Sequence, residues 1–168
     1  MVELFKGTIA LESEENLGTK ITLTIPFEID ENRIIELINN LPVELSITKN
    51  YTVLVVEDNK INQIVTRKLL ENNHFICDMV DDGYNALDLL EQKSYDIILM
   101  DINMPKINGF ETSKLIRQEG ITTPIIAVTA FDKQEIMDKV KEAQIDDVIV
   151  KPFDSSKLFE IIKRYVEI

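Results

Sequence analysis

Two rhythms of apolar and polar residues divide the chain. In residues 1–27 the period is two: Ile21, Leu23 and Ile25 alternate with Thr22 and Thr24, which gives an extended segment one apolar face. GTIALES precedes it as a second strand-like run, and Glu14-Glu15-Asn16-Leu17-Gly18 between them reads as a polar turn, so the pair predicts a β-hairpin. A hairpin alone is marginal in water, so this one needs further sheet or a neighbour. Residues 28–50 read as a linker. Within it Asn32–Asn40 suits a short amphipathic helix carrying Ile34, Ile35, Leu37 and Ile38, ended by Asn39-Asn40 and Pro42, and Val43–Ile47 suits a short extended piece.

From Tyr51 onward, in residues 51–168, strand-like and helix-like stretches alternate. The expected strands are Thr52–Val56, Phe75–Val80, Asp96–Met100, Ile125–Val128 and Val148–Val150. The first, third and fourth are unbroken apolar runs, as central parallel strands covered on both faces require. Between and after them, apolar residues recur at helical spacing: Ile61, Ile64, Val65 and Leu69 in Lys60–Asn72; Ala86, Leu87 and Leu90 in Tyr84–Gln92. Phe110, Leu115 and Ile116 serve Phe110–Gln118, and Ile136, Val140 and Ala143 serve Lys133–Ala143. Leu158, Ile161, Ile162 and Tyr165 serve Ser155–Val166, while Asp132 and Asp154 stand where N-caps belong. Strand followed by helix, repeated, predicts a right-handed, doubly wound α/β sandwich with a five-stranded parallel sheet. Ligands of such sheets bind beyond the carboxyl ends of the strands.

That rule gathers scattered residues. Glu57 and Asp58 follow the first strand, Asp101 the third, Thr129 the fourth and Lys151 the fifth. Three carboxylates at one edge repel one another unless a cation intervenes, and Mg²⁺, which takes a few carboxylates plus water and phosphate oxygens, suits them. The set fits phosphoryl transfer to a carboxylate, with Asp101 as nucleophile, Glu57 and Asp58 holding the metal, Lys151 offsetting phosphoryl charge and Thr129 donating a hydrogen bond.

Composition narrows the partners. A formal net charge of −12 argues against nonspecific binding to nucleic acid or an anionic membrane. One His and one Cys leave no zinc site of the usual type, and the single Cys77 leaves no internal disulfide, which fits a reducing cytoplasm. Cys77 lies in the apolar run FICDMV, as a small packed side chain rather than a reactive thiol. No apolar run approaches the ~20 residues that span a bilayer.

VLVVEDN at 53–59, DIILMDINMPKINGFE at 96–111, AVTA at 127–130 and VIVKPF at 148–153 resemble, in order and spacing, the receiver (response-regulator) domain of two-component signalling. The resemblance implies the flavodoxin-like form of the α/β sandwich, with the hairpin as an N-terminal extension. It makes Asp101 the phosphoacceptor, Glu57, Asp58, Asp101 and the Asn103 backbone carbonyl the ligands of Mg²⁺ (with Mn²⁺ as substitute), and Thr129 and Lys151 the phosphoryl contacts. Pro105 and Gly109 shape the neighbouring loop, and Pro152 matches a cis-proline. The implied donor is the phosphohistidine of a histidine kinase or a histidine phosphotransfer domain, reached through a surface around the first receiver helix, at Ile61, Ile64 and Val65. VELFKGTIALESEENLGTKITLTIPF in turn resembles the C-terminal edge of a histidine kinase ATP-binding domain. The whole is then the kinase–receiver junction of a hybrid sensor kinase, and Met1 is not expected to be the natural start. The asparagine box, glycine-rich lid and phosphorylatable histidine of that family are absent, so this stretch is not itself a kinase. The hairpin is also a candidate for pairing with a second copy.

Two positions depart from the family pattern. Val148 stands three residues before Lys151, where an aromatic commonly rotates inward, so the usual Thr–aromatic output switch is lost. Gln144 stands where Gly often ends the preceding helix in a left-handed conformation, at a cost of ~1 kcal/mol. Phe131, two residues past Thr129, is placed to hinder attacking water. A stand-alone response regulator remains an alternative. A haloacid-dehalogenase-type phosphatase would need Asp-x-Asp after the first strand, and a flavodoxin-like cofactor module a hydroxyl- or glycine-rich phosphate loop where this chain has EDNKIN. A degenerate, non-phosphorylated receiver finds no support in a chain that keeps every phosphorylation residue.

Overall fold

The computed structural model describes residues 6–14, 18–26 and 51–166. The helix expected at Asn32–Asn40 and the extended piece at Val43–Ile47 lie outside the described residues, as does most of the hairpin turn. The chain forms two compact units, Met1–Arg33 and Ile34–Ile168.

In the first unit β1 (Thr8–Glu14) pairs antiparallel with β2 (Gly18–Thr24). The register sets Ile9 opposite Leu23 and Leu11 opposite Ile21, so period two puts all of these on one face. That face is open: Ile9, Leu11, Ile21 and Leu23 are 64%, 65%, 62% and 52% exposed.

The second unit holds β3 (Thr52–Val56), α1 (Lys60–Asn72), β4 (Ile76–Val80), α2 (Gly83–Gln92), β5 (Ile97–Asp101) and α3 (Gly109–Gln118). β6 (Ile125–Thr129), α4 (Lys133–Glu142), β7 (Asp147–Val150) and α5 (Ser155–Tyr165) complete it. The five strands are all parallel, in the order β4-β3-β5-β6-β7, as a doubly wound sheet requires. Alternation along the strands sorts the core into two layers. Val53, Val55, Ile97, Leu99, Ile126 and Val128 face one cluster, closed by Leu69 and Leu70 of α1 and by Leu158, Phe159 and Ile162 of α5. Leu54, Val56, Ile98, Met100, Ile125 and Ala127 face the other, closed by Ala86, Ile116, Ile136 and Val140 of α2, α3 and α4. Each fully buried Leu or Ile contributes ~1.5–3 kcal/mol, so the two layers dominate the favourable side of folding. Phe75 and Phe159 stack at 5.9 Å between centroids, a contact worth ~0.5–1.5 kcal/mol beyond area.

Helix starts follow the expected chemistry. Asp132 Oδ1 accepts Gln134 N–H at 2.8 Å and Asp154 Oδ1 accepts Lys157 N–H at 2.8 Å. Helix α1 has its cap at Asn59, which accepts from the N–H groups of Ile61 and Asn62. Gln144 does take the left-handed conformation, at φ 52°, and ends α4 where Gly is more usual. Helix α3 carries two polar residues in its core-facing surface, Thr112 and Ser113, both 0% exposed. Their hydroxyls donate one turn back, to Asn108 and Gly109 carbonyls at 2.9 and 2.7 Å, so neither is buried unpaired. Cys77 is half-buried, and burial above all raises its thiol pKa to about 11, so it stays protonated and unreactive at neutral pH. Among the described residues no helix is long and apolar enough to cross a membrane.

Candidate functional site

The acidic edge expected from the strand ends is present. Asp101 is the last residue of β5, the central strand of the five, and that strand is buried throughout. Glu57 follows β3 directly, and its N–H donates to the Val80 carbonyl at 3.0 Å, which fixes the chain as it leaves the sheet. Glu57 and Asp101 are buried and Asp58 is exposed, and one carboxylate oxygen from each of the three lies within 4.8 Å of the others. Oxygen-only ligands from three carboxylates, open to solvent on the Asp58 side, fit a hard divalent cation.

Lys151 joins the cluster from the far strand. Its Nζ donates to Glu57 Oε2 and to Asp101 Oδ2, both at 2.8 Å. Burial works against the ammonium charge, but the hydrogen bonds to Asp101 and Glu57 outweigh it and hold Lys151 above its ordinary pKa. The lysine is carried there by the turn after β7: its N–H donates to the Thr129 carbonyl at 2.6 Å, and the Lys151–Pro152 peptide is cis. Thr129 ends β6, beside Val128, which pairs with Asp101. Its hydroxyl oxygen accepts the Phe131 N–H at 3.1 Å, which leaves the hydroxyl proton free to donate elsewhere. Asn103 is exposed, and its N–H donates to Asp101 Oδ1 at 2.9 Å. Thus Glu57, Asp58, Asp101 and Lys151 meet directly, Asn103 is bonded to Asp101 through its backbone, and Thr129 stands at the same edge one residue past the pairing.

Sequence reasoning missed the residues that hold Glu57. Asn62 Nδ2 donates to Glu57 Oε1 at 2.9 Å and the Asn59 N–H to the same oxygen at 3.2 Å, while Gln63 Nε2 donates to the Glu57 carbonyl at 2.5 Å. The available signal was a run of amides, Asn59, Asn62 and Gln63, in the first turn of a helix that starts just past the acids. Beside the site lies a cavity of about 280 Å³, whose lining includes Glu57, Asp101 and Lys151 together with apolar Val65, Leu99 and Phe153. Phe131 is 44% exposed, and Val148 is buried, with no aromatic ring in its place.

Comparison with known proteins agrees with this geometry. The family model described as "Response regulator receiver domain" matches residues 53–163. The autoinducer 2 sensor kinase/phosphatase LuxQ of Vibrio parahaemolyticus is 33% identical over 165 residues, covering 95% of this chain and 19% of the relative. The sensor protein EvgS of Escherichia coli is 27% identical over 153 residues, covering 90% of the chain and 13% of the relative. The chain therefore spans about a fifth or less of the length of these curated relatives. Among solved structures, the receiver domain of a sensor histidine kinase from Pseudomonas aeruginosa, with magnesium in its active-site cleft, is 34% identical with a TM-score of 0.64, over 70% of this chain and 98% of that one. The chemotaxis protein CheY4 of Vibrio cholerae is 27% identical with a TM-score of 0.67, over 70% of this chain and 100% of that one. A sheet in the order β4-β3-β5-β6-β7, an acid edge on it and a family match across it all lead to one assignment: the chain belongs to the response regulator receiver domains of two-component signalling.

Proposed function

We propose that this receiver accepts a phosphoryl group on Asp101, in a Mg²⁺-dependent transfer from a phosphohistidine, as part of a hybrid sensor kinase. The observation that carries the proposal is Lys151 bonded to both Asp101 and Glu57 within a three-carboxylate cluster. In the transfer, the donor's N–P bond breaks with its electron pair returning to the imidazole nitrogen, and an O–P bond forms to an Asp101 carboxylate oxygen. Glu57, Asp58, Asp101 and the Asn103 carbonyl would hold Mg²⁺, which when bound supplies charge to offset the phosphoryl oxygens. Asn62 and Asn59 keep Glu57 aimed, Lys151 stands within reach of an oxygen on Asp101, and the Thr129 hydroxyl has its proton free for the phosphoryl group.

Val148 carries the argument past the chemistry. Without an aromatic ring to draw inward, engagement of Thr129 has no large side chain to move, so the domain suits onward transfer of its phosphoryl group better than signalling by shape. The phosphohistidine donor, or the unphosphorylated histidine that accepts in onward transfer, of the same kinase or of a histidine phosphotransfer domain, would dock over α1, where Ile61 and Ile64 are half-exposed. Val65 is packed against the core and drops out of that surface. The open hairpin face of Ile9, Leu11, Ile21 and Leu23 supports reading residues 1–27 as the edge of a kinase ATP-binding domain, with pairing to a second copy as the rival.

The test is incubation with acetyl phosphate and Mg²⁺ followed by intact mass. The wild type should gain one phosphoryl group and Asp101→Asn none. Equal uptake by the two proteins would refute the assignment of Asp101.

A further inference from the structure

The loop from β5 to α3 carries Asn103, and its shape is fixed at the far end by residues that take no part in the transfer. Gly109 N–H donates to the Ile102 carbonyl at 3.1 Å and closes residues 102–109 on themselves. At the tip Ile107 N–H donates to the Pro105 carbonyl at 2.9 Å, with Lys106 between them at φ 67°. A three-residue turn with positive φ at a lysine is a strained conformation that persists only when its surroundings hold it.

The hold comes from helix α2. Lys106 Nζ donates to Asp82 Oδ2 at 2.5 Å, and Asp82 Oδ1 accepts the Asn85 N–H at 2.9 Å as the cap of α2. Asp82 is 6% exposed, so each of its oxygens needs a partner, and each has one. Together, the Asn85 N–H and then Lys106 keep its carboxyl below the usual range. The neighbouring residues pack as tightly: Ile107 is buried, and a Cβ built on Gly83 would lie 2.9 Å from Ile107 Cγ2. An exposed lysine paired with an exposed acid would deserve little weight. Here the acid is buried, the turn beside it is strained, and the other end of the same loop bonds Asp101 through Asn103 N–H.

We propose that Lys106 is a positioning residue for the divalent-cation site: by gripping Asp82 it holds loop 102–109 in the form that keeps the Asn103 backbone against Asp101. The inference rests on the reading of Asp101 and Asn103 given above. Lys106 touches neither metal nor phosphoryl group, so its effect falls on metal affinity and reaches the chemistry only through it.

The chain has no tryptophan, so Mg²⁺ binding is best followed by titration calorimetry, alongside acetyl phosphate uptake across a series of Mg²⁺ concentrations. Lys106→Met should weaken Mg²⁺ binding about tenfold, at the low end for groups that orient metal ligands, and raise half-saturating Mg²⁺ for uptake by the same factor. The uptake rate at saturating Mg²⁺ should be retained, and Lys106→Arg should recover most of the affinity. A merely structural lysine would change neither half-saturation nor the response to arginine. Unchanged Mg²⁺ affinity in Lys106→Met, or an equal loss in Lys106→Arg, overturns the proposal. Failure of the wild type to take up phosphoryl, or uptake by Asp101→Asn, removes the phosphoacceptor reading instead, and the two failures are thereby told apart.

Discussion

Gly109 offers a sharp test of how closely the site is built. It begins α3, and a Cβ placed on it would lie 2.3 Å from the Asp101 carbonyl oxygen, 2.9 Å from Ile102 Cα and 3.0 Å from the Asp101 carbonyl carbon. Carbon atoms in contact prefer ~3.5–4.0 Å, so Gly109→Ala demands a displacement of about 1 Å. All three obstacles are backbone, and that backbone is pinned by the pairing of Asp101 with Val128 and by Ile102 N–H donating to the Val128 carbonyl at 3.3 Å. Because the obstacles are backbone, the overpacking cost falls at the upper end of ~1–3 kcal/mol, and alanine returns at most ~1 kcal/mol of helix preference, so a net loss of about 2 kcal/mol is expected. With a urea m-value of ~1–3 kcal/mol/M, the unfolding midpoint should fall by about 1 M. The strain also falls on Asp101, the proposed phosphoacceptor, and a misplacement near 1 Å can cost ~10²-fold in rate. Urea unfolding and acetyl phosphate uptake, measured on the same preparation, check both figures. A midpoint unchanged to within ~0.2 M together with a wild-type uptake rate would refute the reasoning.

Two further outcomes follow from other parts of the site and its frame. Phe131 is 44% exposed and bonded through its N–H to Thr129; the proposed role of its ring is to hinder attacking water, so Phe131→Ala or Phe131→Glu should shorten the phosphoryl lifetime, and an unchanged decay of the intact-mass signal would remove that role. Asp78 accepts from Lys93 Nζ at 2.6 Å and Tyr95 OH at 2.7 Å, and these bonds lower its pKa from 3.8. A carboxyl depressed in the folded state contributes stability above its unfolded pKa and loses it as pH falls through the folded value. Asp78→Asn should therefore be less stable than wild type at pH 7, with the gap closing below the unfolded value of 3.8, as urea midpoints measured across pH would register.

The strands were legible because period-two alternation and unbroken apolar runs record burial directly. Thr52–Val56 and Lys60–Asn72 fall where the pattern puts them, and the remaining edges shift by a residue or so. Phe75 illustrates why: as a core aromatic it reads as strand, yet it packs from the loop before β4, against Phe159. The cluster of Glu57, Asp58, Asp101 and Lys151 was legible too, since strand-end position is a sequence property once the sheet is known. What stayed hidden depends on contacts between distant segments. The amide of Asn62 on Glu57, the grip of Lys106 on Asp82 and the close approach of Gly83 to Thr112 leave no periodic trace. Thr112 and Ser113 are polar yet fully buried, which their sequence does not announce and which is tolerated because each hydroxyl pairs with its own helix.

The alternation along β5 has a consequence for how such a domain can change over time. Ile97 and Leu99 lock into one layer while Ile98 and Met100 lock into the other, so the strand cannot slide or tilt toward either without opening a gap on the opposite side. Asp101 rides on that doubly clamped rail, while the exposed helix faces and loops lie outside it. The mount and the display are thus separate parts of the molecule. New partners can be acquired by rewriting the display, and the acid at the end of the rail keeps its position through each revision.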